Sequence, residues 1–300
     1  MAALFFMILL MAAITICSAT SALTLSGNDD GSFQQFISIF ILAGQSNMAG
    51  RGGVAGGNWD GVTPAQCRPD RRILRLSAAG RWEEAREPLH RDIDLNKTCG
   101  IGPGMAFAHY LLKKDKGIGR IGLVPCAVGG TSVAEWRRGR RIYDDCLTRA
   151  EGAQHGTQHG LIKGILWYQG ESDTKSFQDA VLYKGRLETF ISAVRSDLGS
   201  PSLPFVQVLL ASGEGLYVDI VRKAQQDIDL PNVRSVDAMG LELDPDALHL
   251  TTASQVRLGR KLADAFLRFS APLSAQSSAV TRLPAISFLG CLKYLLCMIV

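Results

Sequence analysis

A serine, a histidine and an aspartate stand where a folded chain could combine them into a nucleophilic site. Ser46 lies in Gly-Gln-Ser-Asn-Met, directly after an apolar run, and Asp-Ala-Leu-His joins Asp246 to His249. In a turn, this spacing lets the Asp246 carboxylate accept a hydrogen bond from imidazole Nδ1, which orients the ring. The second ring nitrogen can then face Ser46 and take its proton. We expect a catalytic triad, although a polar turn and a helix cap explain each motif on its own.

Two further loops carry groups that could hold a negatively charged oxygen. Gly129 and Gly130 open Gly-Gly-Thr-Ser, and paired glycines allow backbone N–H groups to approach a substrate closely. Gln169 opens Gln-Gly-Glu-Ser-Asp, and its amide can donate a hydrogen bond without a change of charge. Ordinary turn chemistry explains each loop alone, whereas four such loops together favour an enzyme.

The elements needed to position these groups follow from hydrophobic patterning. Apolar runs at residues 37–43, 121–127, 161–168, 205–210 and 233–236 predict buried strands, with a shorter strand at 73–76. Segments 105–114, 142–151, 177–198, 215–228 and 252–269 predict helices. Strands that alternate with helices indicate a parallel sheet covered on both faces. Because parallel sheets bind ligands at the carboxyl ends of their strands, the four loops should meet at one edge.

The motifs resemble the four blocks of the SGNH hydrolases, in the family's order and over residues 36–269. They are most similar to the plant carbohydrate esterases related to sialate O-acetylesterases and acetylxylan esterases. The resemblance implies a three-layer α/β/α sandwich with a flavodoxin-like parallel sheet, and a serine esterase that removes O-acetyl groups from carbohydrates. It assigns the nucleophile to Ser46, its partners to Asp246 and His249, and the oxyanion hole to Ser46 N–H, Gly130 and Gln169. No cofactor and no metal are implied.

A long irregular stretch, residues 51–102, should border the site and shape substrate selection. The residues expected to contact the substrate are Asn47, Arg51, Gly129 and Glu171. Nothing in the sequence distinguishes xylan, pectin, sialic acid or a soluble glycoside as the substrate.

Two other functions remain open. An esterase of the same superfamily could act on lipid or other small acyl esters, because the acyl pocket cannot be read from the sequence. A secreted carbohydrate-binding protein without activity could use the four tryptophans for stacking, although tryptophans are more often core residues. A lipase of the α/β-hydrolase type is excluded, because Gly-x-Ser-x-Gly does not occur in the chain.

Length and composition limit the number of domains and the class of partner. The chain has 300 residues, 47% of them hydrophobic, and a net charge of +4 from cations that are mostly scattered. We therefore expect one catalytic domain, residues 34–270, that is a monomer and does not bind nucleic acid.

Three segments resemble targeting or modification signals. Residues 1–22 resemble a signal peptide, which predicts a secreted, extracellular protein of the cell wall. Asn96 begins an Asn-Lys-Thr glycosylation acceptor. Residues 271–300 form a polar spacer and an apolar tail that contacts a membrane only if it acts as an anchor signal.

Four cysteines could form two disulfides in three connectivities, with free buried thiols as the alternative. They are Cys67, Cys99, Cys126 and Cys146.

Overall fold

The computed structural model describes residues 36–157 and 160–269, over which strands and helices alternate. The strands are β1 (Ile37–Gly44), β2 (Val54–Ala55), β3 (Asn58–Trp59), β4 (Ile73–Leu76), β5 (Trp82–Glu84), β6 (Arg120–Pro125), β7 (Gly160–Tyr168), β8 (Phe205–Leu209) and β9 (Val233–Asp237). The helices are α1 (Ser46–Ala49), α2 (Gly104–Lys114), α3 (Arg141–His155), α4 (Phe177–Asp197), α5 (Val218–Gln226) and α6 (Thr252–Leu267).

One seven-stranded sheet organises this part of the chain, in the order β5-β4-β6-β1-β7-β8-β9. Strand β1 lies at its centre and pairs in parallel with β6 and β7. All eight residues of β1 are buried, since helices cover both faces of the sheet. The sequence Ile-Ser-Ile-Phe-Ile-Leu-Ala-Gly is apolar on both faces for this reason.

Aromatic side chains fill the two layers on either side of the sheet. On one face, the Phe40 ring lies 4.9 Å from Phe107 of α2 and 4.9 Å from Phe266 of α6. On the other face, Trp167 of β7 lies 5.0 Å from Trp136 and 4.7 Å from Phe190 of α4. Edge-to-face and tilted pairs of this kind add to the free energy of burial, so both layers hold β1 rigidly. The predicted three-layer α/β/α architecture is confirmed.

The predicted strands and helices are present within a few residues of their expected bounds, but the sheet is not entirely parallel. Strand β5 pairs antiparallel with β4 at the sheet edge. The turn between them is short, with Ser77 N–H donating to Arg81 O at 2.9 Å. Antiparallel strands can share a tight turn, whereas parallel strands need a long crossover. Residues 54–59 add a small separate hairpin that was not predicted.

The predicted disulfides are not formed, because the four cysteines are buried as free thiols. Burial raises the pKa of the Cys99 thiol to about 11. Cys126 and Cys146 approach each other, with Cys126 Sγ 3.9 Å from Cys146 O. These residues behave as small core side chains, which the count of four could not reveal.

Two predicted segments lie outside the described residues: the signal peptide at 1–22 and the tail at 271–300. Within the described ranges, no helix combines the length and the apolar character that crossing a membrane requires.

Candidate active site

Ser46 lies at the carboxyl end of the central strand, where the chain turns from β1 into α1. Gly44 has φ +131°, and a Cβ there would collide with the Tyr168 carbonyl of the neighbouring strand. Only glycine fits that close approach, in which Gln45 N–H donates to Tyr168 O at 2.8 Å. Ser46 is then the first residue of a four-residue helix and is 5% exposed.

The structure brings Ser46, His249 and Asp246 together as a hydrogen-bonded chain. His249 Nε2 lies 2.9 Å from Ser46 Oγ, and His249 Nδ1 lies 2.6 Å from Asp246 Oδ2. Nδ1 therefore donates to the carboxylate and Nε2 is left to accept from the serine hydroxyl. This is the geometry in which a histidine can act as a general base toward a serine.

Asp246 is held by the turn that it opens. Its Oδ1 accepts from the backbone N–H groups of Leu248 and His249, both at 2.9 Å, and Ala247 has φ +54°. Partial burial disfavours the ionised form, but these backbone hydrogen bonds and the imidazole outweigh it and lower the pKa of the carboxyl. Asp246 thus stays anionic opposite the ring.

Asn47 ties the serine turn to the histidine loop. Its Nδ2 donates to Leu248 O at 3.3 Å, and its Oδ1 accepts from Leu250 N–H at 3.0 Å. The two bonded residues, Leu248 and Leu250, lie on either side of His249 in the chain. The bonds therefore hold the histidine loop against the turn that carries Ser46. Asn47 has no exposed surface. The structure therefore places it behind the site and not, as predicted, in contact with a substrate.

Glu171 lies behind Asn47, on the side away from the cleft. Its Oε1 accepts from Asn47 Nδ2 at 2.8 Å, and its Oε2 has no hydrogen-bond partner among the described residues. Burial, which leaves the side chain with no exposed surface, raises the pKa of Glu171 to about 7. Glu171 thus orients Asn47, and the structure does not bring it to a surface that a substrate could reach.

Two backbone N–H groups are candidates for an oxyanion hole. In the described ranges, neither Ser46 N–H nor Gly130 N–H has an acceptor. Gly130 has φ +76°, and a Cβ added at Gly129 would lie 3.4 Å from Ser46 Cβ. The Gly129–Gly130 loop therefore passes close beside the serine, with N–H groups free for a ligand.

The Gln169 amide is not free to act as a third hydrogen-bond donor to an oxyanion. Its Nε2 is 2.8 Å from Thr131 O and 2.6 Å from Asp173 Oδ2, and the side chain has no exposed surface. Asp173 also accepts from Val133 N–H at 3.0 Å. Both amide hydrogens thus have protein acceptors, so this geometry gives no support to the predicted oxyanion role. Gln169 and Asp173 instead anchor the end of the loop that carries Gly130.

A cleft of about 370 Å³ opens next to the triad. It is lined by His249, by the loop 244–246, by the hairpin residues 54–57 and by Lys97 and Thr98. The long irregular stretch therefore borders the site as predicted. Arg51 also lines the cleft and forms a buried ion pair with Asp94. Sequence reasoning singled out Arg51 but missed Asp94, because no motif marks a partner that lies 43 residues away.

The predicted glycosylation residue lies on the rim of this cleft. Asn96 is exposed, and the next two residues, Lys97 and Thr98, line the cleft itself. Within the described ranges, no group of three or more histidine, cysteine or acidic side chains could hold a metal ion.

Comparison with known proteins identifies the same part of the chain. The family model for carbohydrate esterases described as sialic acid-specific acetylesterases matches residues 37–268. A probable carbohydrate esterase of Arabidopsis thaliana is 52% identical over 238 residues, which is 76% of this chain and 90% of the relative.

Solved structures agree with this match. An Arabidopsis thaliana protein structure shares 50% identity and a TM-score of 0.74, covering 78% of this chain and 98% of that one. NanS shares the fold at 17% identity with a TM-score of 0.65, covering 79% of this chain and 98% of its own.

Proposed function

The chain belongs to the carbohydrate esterases of the sialic acid-specific acetylesterase family and is a carboxylic-ester hydrolase; we propose that it removes O-acetyl groups from carbohydrates with Ser46, His249 and Asp246. One observation carries this proposal. His249 joins a serine hydroxyl at 2.9 Å to a carboxylate at 2.6 Å, on the border of an open cleft.

The reaction follows from the roles these groups can take. His249 Nε2 accepts the hydroxyl proton as Ser46 Oγ attacks the acetyl carbonyl, and Asp246 stabilises the imidazolium. The N–H groups of Ser46 and Gly130 hold the negatively charged oxygen of the tetrahedral intermediate. His249 then gives its proton to the departing sugar oxygen, leaving an acetyl-serine. Water, deprotonated by His249, attacks that ester and releases acetate and free Ser46.

The lining of the cleft offers groups that suit an acetylated sugar. Its charged side chains are Arg51, Lys97, Asp244 and Asp246, and they lie beside the apolar residues Val54, Ala55 and Pro245. Sugar hydroxyls can exchange hydrogen bonds with the charged groups, and a short acyl group such as acetyl can cover the apolar ones.

The test is turnover of p-nitrophenyl acetate and p-nitrophenyl octanoate by wild type, Ser46→Ala and His249→Ala. We expect hydrolysis of the acetate in preference to the octanoate, and loss of turnover in both variants with unchanged circular dichroism. Labelling of wild type, but not Ser46→Ala, by a fluorophosphonate identifies the nucleophile. A folded wild type that neither turns over acetyl esters nor takes up the label would contradict the proposal and favour a binding protein.

We also propose that residues 1–22 direct the protein to the secretory pathway and that Asn96 receives a glycan. Asn96 is exposed, as the modifying enzyme requires. Expression in a eukaryotic host should give a protein in the medium whose mass falls on treatment with a glycan-removing amidase. Asn96→Gln should abolish that shift, and retention of the wild type inside the cell would contradict the proposal.

A further inference from the structure

A second concave surface, the basic groove, lies between α2 and α6. It has a volume of about 710 Å³ and shares no lining residue with the catalytic cleft. In the described part of the chain, no aspartate or glutamate lines it. Its basic lining residues are Arg72, His109, Lys113, Lys116, Arg257 and Arg260. The groove therefore concentrates positive charge in a chain whose net charge is only +4.

Most of this charge is uncompensated. Among the described residues, Arg72 is the only groove cation with a carboxylate partner, Asp70. Lys113, Lys116 and Arg257 are exposed and have no ion pair within the described ranges. A concave surface lined by one sign of charge raises the local concentration of oppositely charged ligands. The groove is thus suited to an anion with several charges.

One groove cation is held in place by an aromatic ring. The Arg260 guanidinium lies 5.1 Å from the centre of the Tyr110 ring, and Lys114 lies 5.5 Å from the same ring. Such stacking orders the guanidinium. It also occupies the Tyr110 ring, and exposed aromatic platforms are what single-stranded nucleic acids use. The groove therefore offers cations without the stacking surface that would favour RNA or single-stranded DNA.

The groove and the catalytic cleft are connected through α6. This helix begins at Thr252, three residues after His249, and Thr252 packs against Gly52 beside Arg51. The groove begins one turn later, at Val256. A polymer that lay in the groove could therefore continue toward the cleft along one helix.

We infer that the basic groove binds a carboxylated polysaccharide, a polymer of sugar acids. Its repeated carboxylates match the clustered lysines and arginines of the groove, which hold carboxylates through charge-assisted hydrogen bonds. The groove lies within the roughly 300–1,000 Å³ typical of ligand sites, enough for a short stretch of such a chain. The choice of a carbohydrate over other polyanions rests on the proposed function.

Binding of polygalacturonate, which carries no acetyl groups, tests the inference without any turnover. The groove variant is Lys113→Ala/Lys116→Ala/Arg257→Ala in the full chain. Its matched control, Arg81→Ala/Lys184→Ala/Lys223→Ala, removes the same charge from three other places on the surface. Affinity is measured by titration calorimetry at low salt for polygalacturonate, for neutral xylan and for duplex DNA.

We expect wild type and the control variant to bind polygalacturonate, and the groove variant to bind it about tenfold more weakly or worse. Binding should also weaken as salt is added. Unchanged affinity in the groove variant, no binding to polygalacturonate, or equal binding to xylan or DNA would overturn the inference. Turnover of p-nitrophenyl acetate should stay within about twofold in all three proteins, since exposed charges of this kind contribute little to stability. An inactive protein that still binds polygalacturonate would contradict the proposed function alone.

Discussion

At the scale of single residues, the site divides into groups that face the cleft and groups that hold them. His249, Asp246 and Arg51 line the cleft, whereas Asn47 and Glu171 are buried behind the nucleophile. The second set has no exposed surface, yet its hydrogen bonds hold the histidine loop against the serine turn. The activity should therefore depend on both sets, in different ways.

Asp246→Asn should lower kcat by about 10²–10³ with little change in KM. The amide cannot stabilise the imidazolium and favours the wrong tautomer, although water partly replaces a carboxylate that is 49% exposed. Steady-state kinetics on p-nitrophenyl acetate measure the effect. The exposed Asp229→Asn should behave as wild type, and a kcat of Asp246→Asn close to that of wild type would remove Asp246 from the mechanism.

Glu171→Gln should make the free energy of unfolding less dependent on pH. The pKa of this carboxyl is raised from 4.5 to about 7, so it is neutral in both states below pH 4.5 and ionises first in the unfolded chain above it. Wild type therefore loses stability as pH rises to about 7, by up to about 3 kcal/mol at 1.36 kcal/mol per pKa unit. The glutamine cannot ionise and can still accept from Asn47.

Urea unfolding at pH 4.5 and pH 8 measures this difference. The advantage of Glu171→Gln over wild type should grow between the two values, whereas the exposed Glu151→Gln should show no such growth. An advantage that is the same at both pH values would contradict a raised pKa for Glu171.

The triad can be predicted from residue types and short spacings, whereas the buried residues that hold it in place cannot. The link from Asp246 to His249 is local, and the position of Ser46 follows from the strand before it. By contrast, Asn47 and Glu171 are separated by 124 residues, and their contact depends on the sheet register. A sequence motif alone does not distinguish a polar residue that contacts the substrate from one buried behind the site, since burial is a property of the folded molecule.

At the scale of elements, α2 and α6 pack so closely that one position excludes a side chain. A Cβ at Gly259 of α6 would lie 2.8 Å from Ala106 Cβ and from Phe107 N, and would collide with Pro103 O. Conversion of a helical glycine to alanine usually stabilises a protein, but here two of the three neighbouring atoms are backbone and cannot move away.

Gly259→Ala should therefore destabilise the protein by about 1–3 kcal/mol. Gly185→Ala in α4 is the control, because no atom lies within 4 Å of its added Cβ. That substitution should leave stability unchanged or raise it by up to about 1 kcal/mol. Thermal and urea unfolding compare the two variants, and equal stability of both would contradict the packing described for α6.

Elements with strong patterns were predicted well, and weak ones were not. The apolar runs of β1 and β7 and the periodicity of α6 marked these elements to within a few residues. Strand β5 has only three residues, all partly exposed, and its antiparallel pairing follows from the turn after Ser77. The hairpin at 54–59 turns at Gly56 and Gly57, which both have positive φ, and glycines of this kind indicate a loop in the sequence. Short strands carry too little hydrophobic pattern to be recognised.

At the scale of the whole molecule, residues 36–269 hold both the described core and the triad. Because this range has its own core and its own site, a chain trimmed to it should keep its melting temperature within a few degrees and its turnover of p-nitrophenyl acetate unchanged. Calorimetry and steady-state kinetics on both lengths check this. Aggregation or inactivity of the trimmed chain would contradict the assignment of one independent catalytic domain to this range.

The hydrogen bond between Ser46 and His249 joins residues 203 positions apart, one at the end of β1 and the other in the loop before α6. During synthesis, a ribosome-bound chain can pair β1 with β6 and β7 long before His249 has been translated. Until then it has a serine without a base and cannot cleave esters. Hydrolysis therefore reports that the loop carrying His249 has reached the end of β1, and contacts of such high sequence separation form slowly.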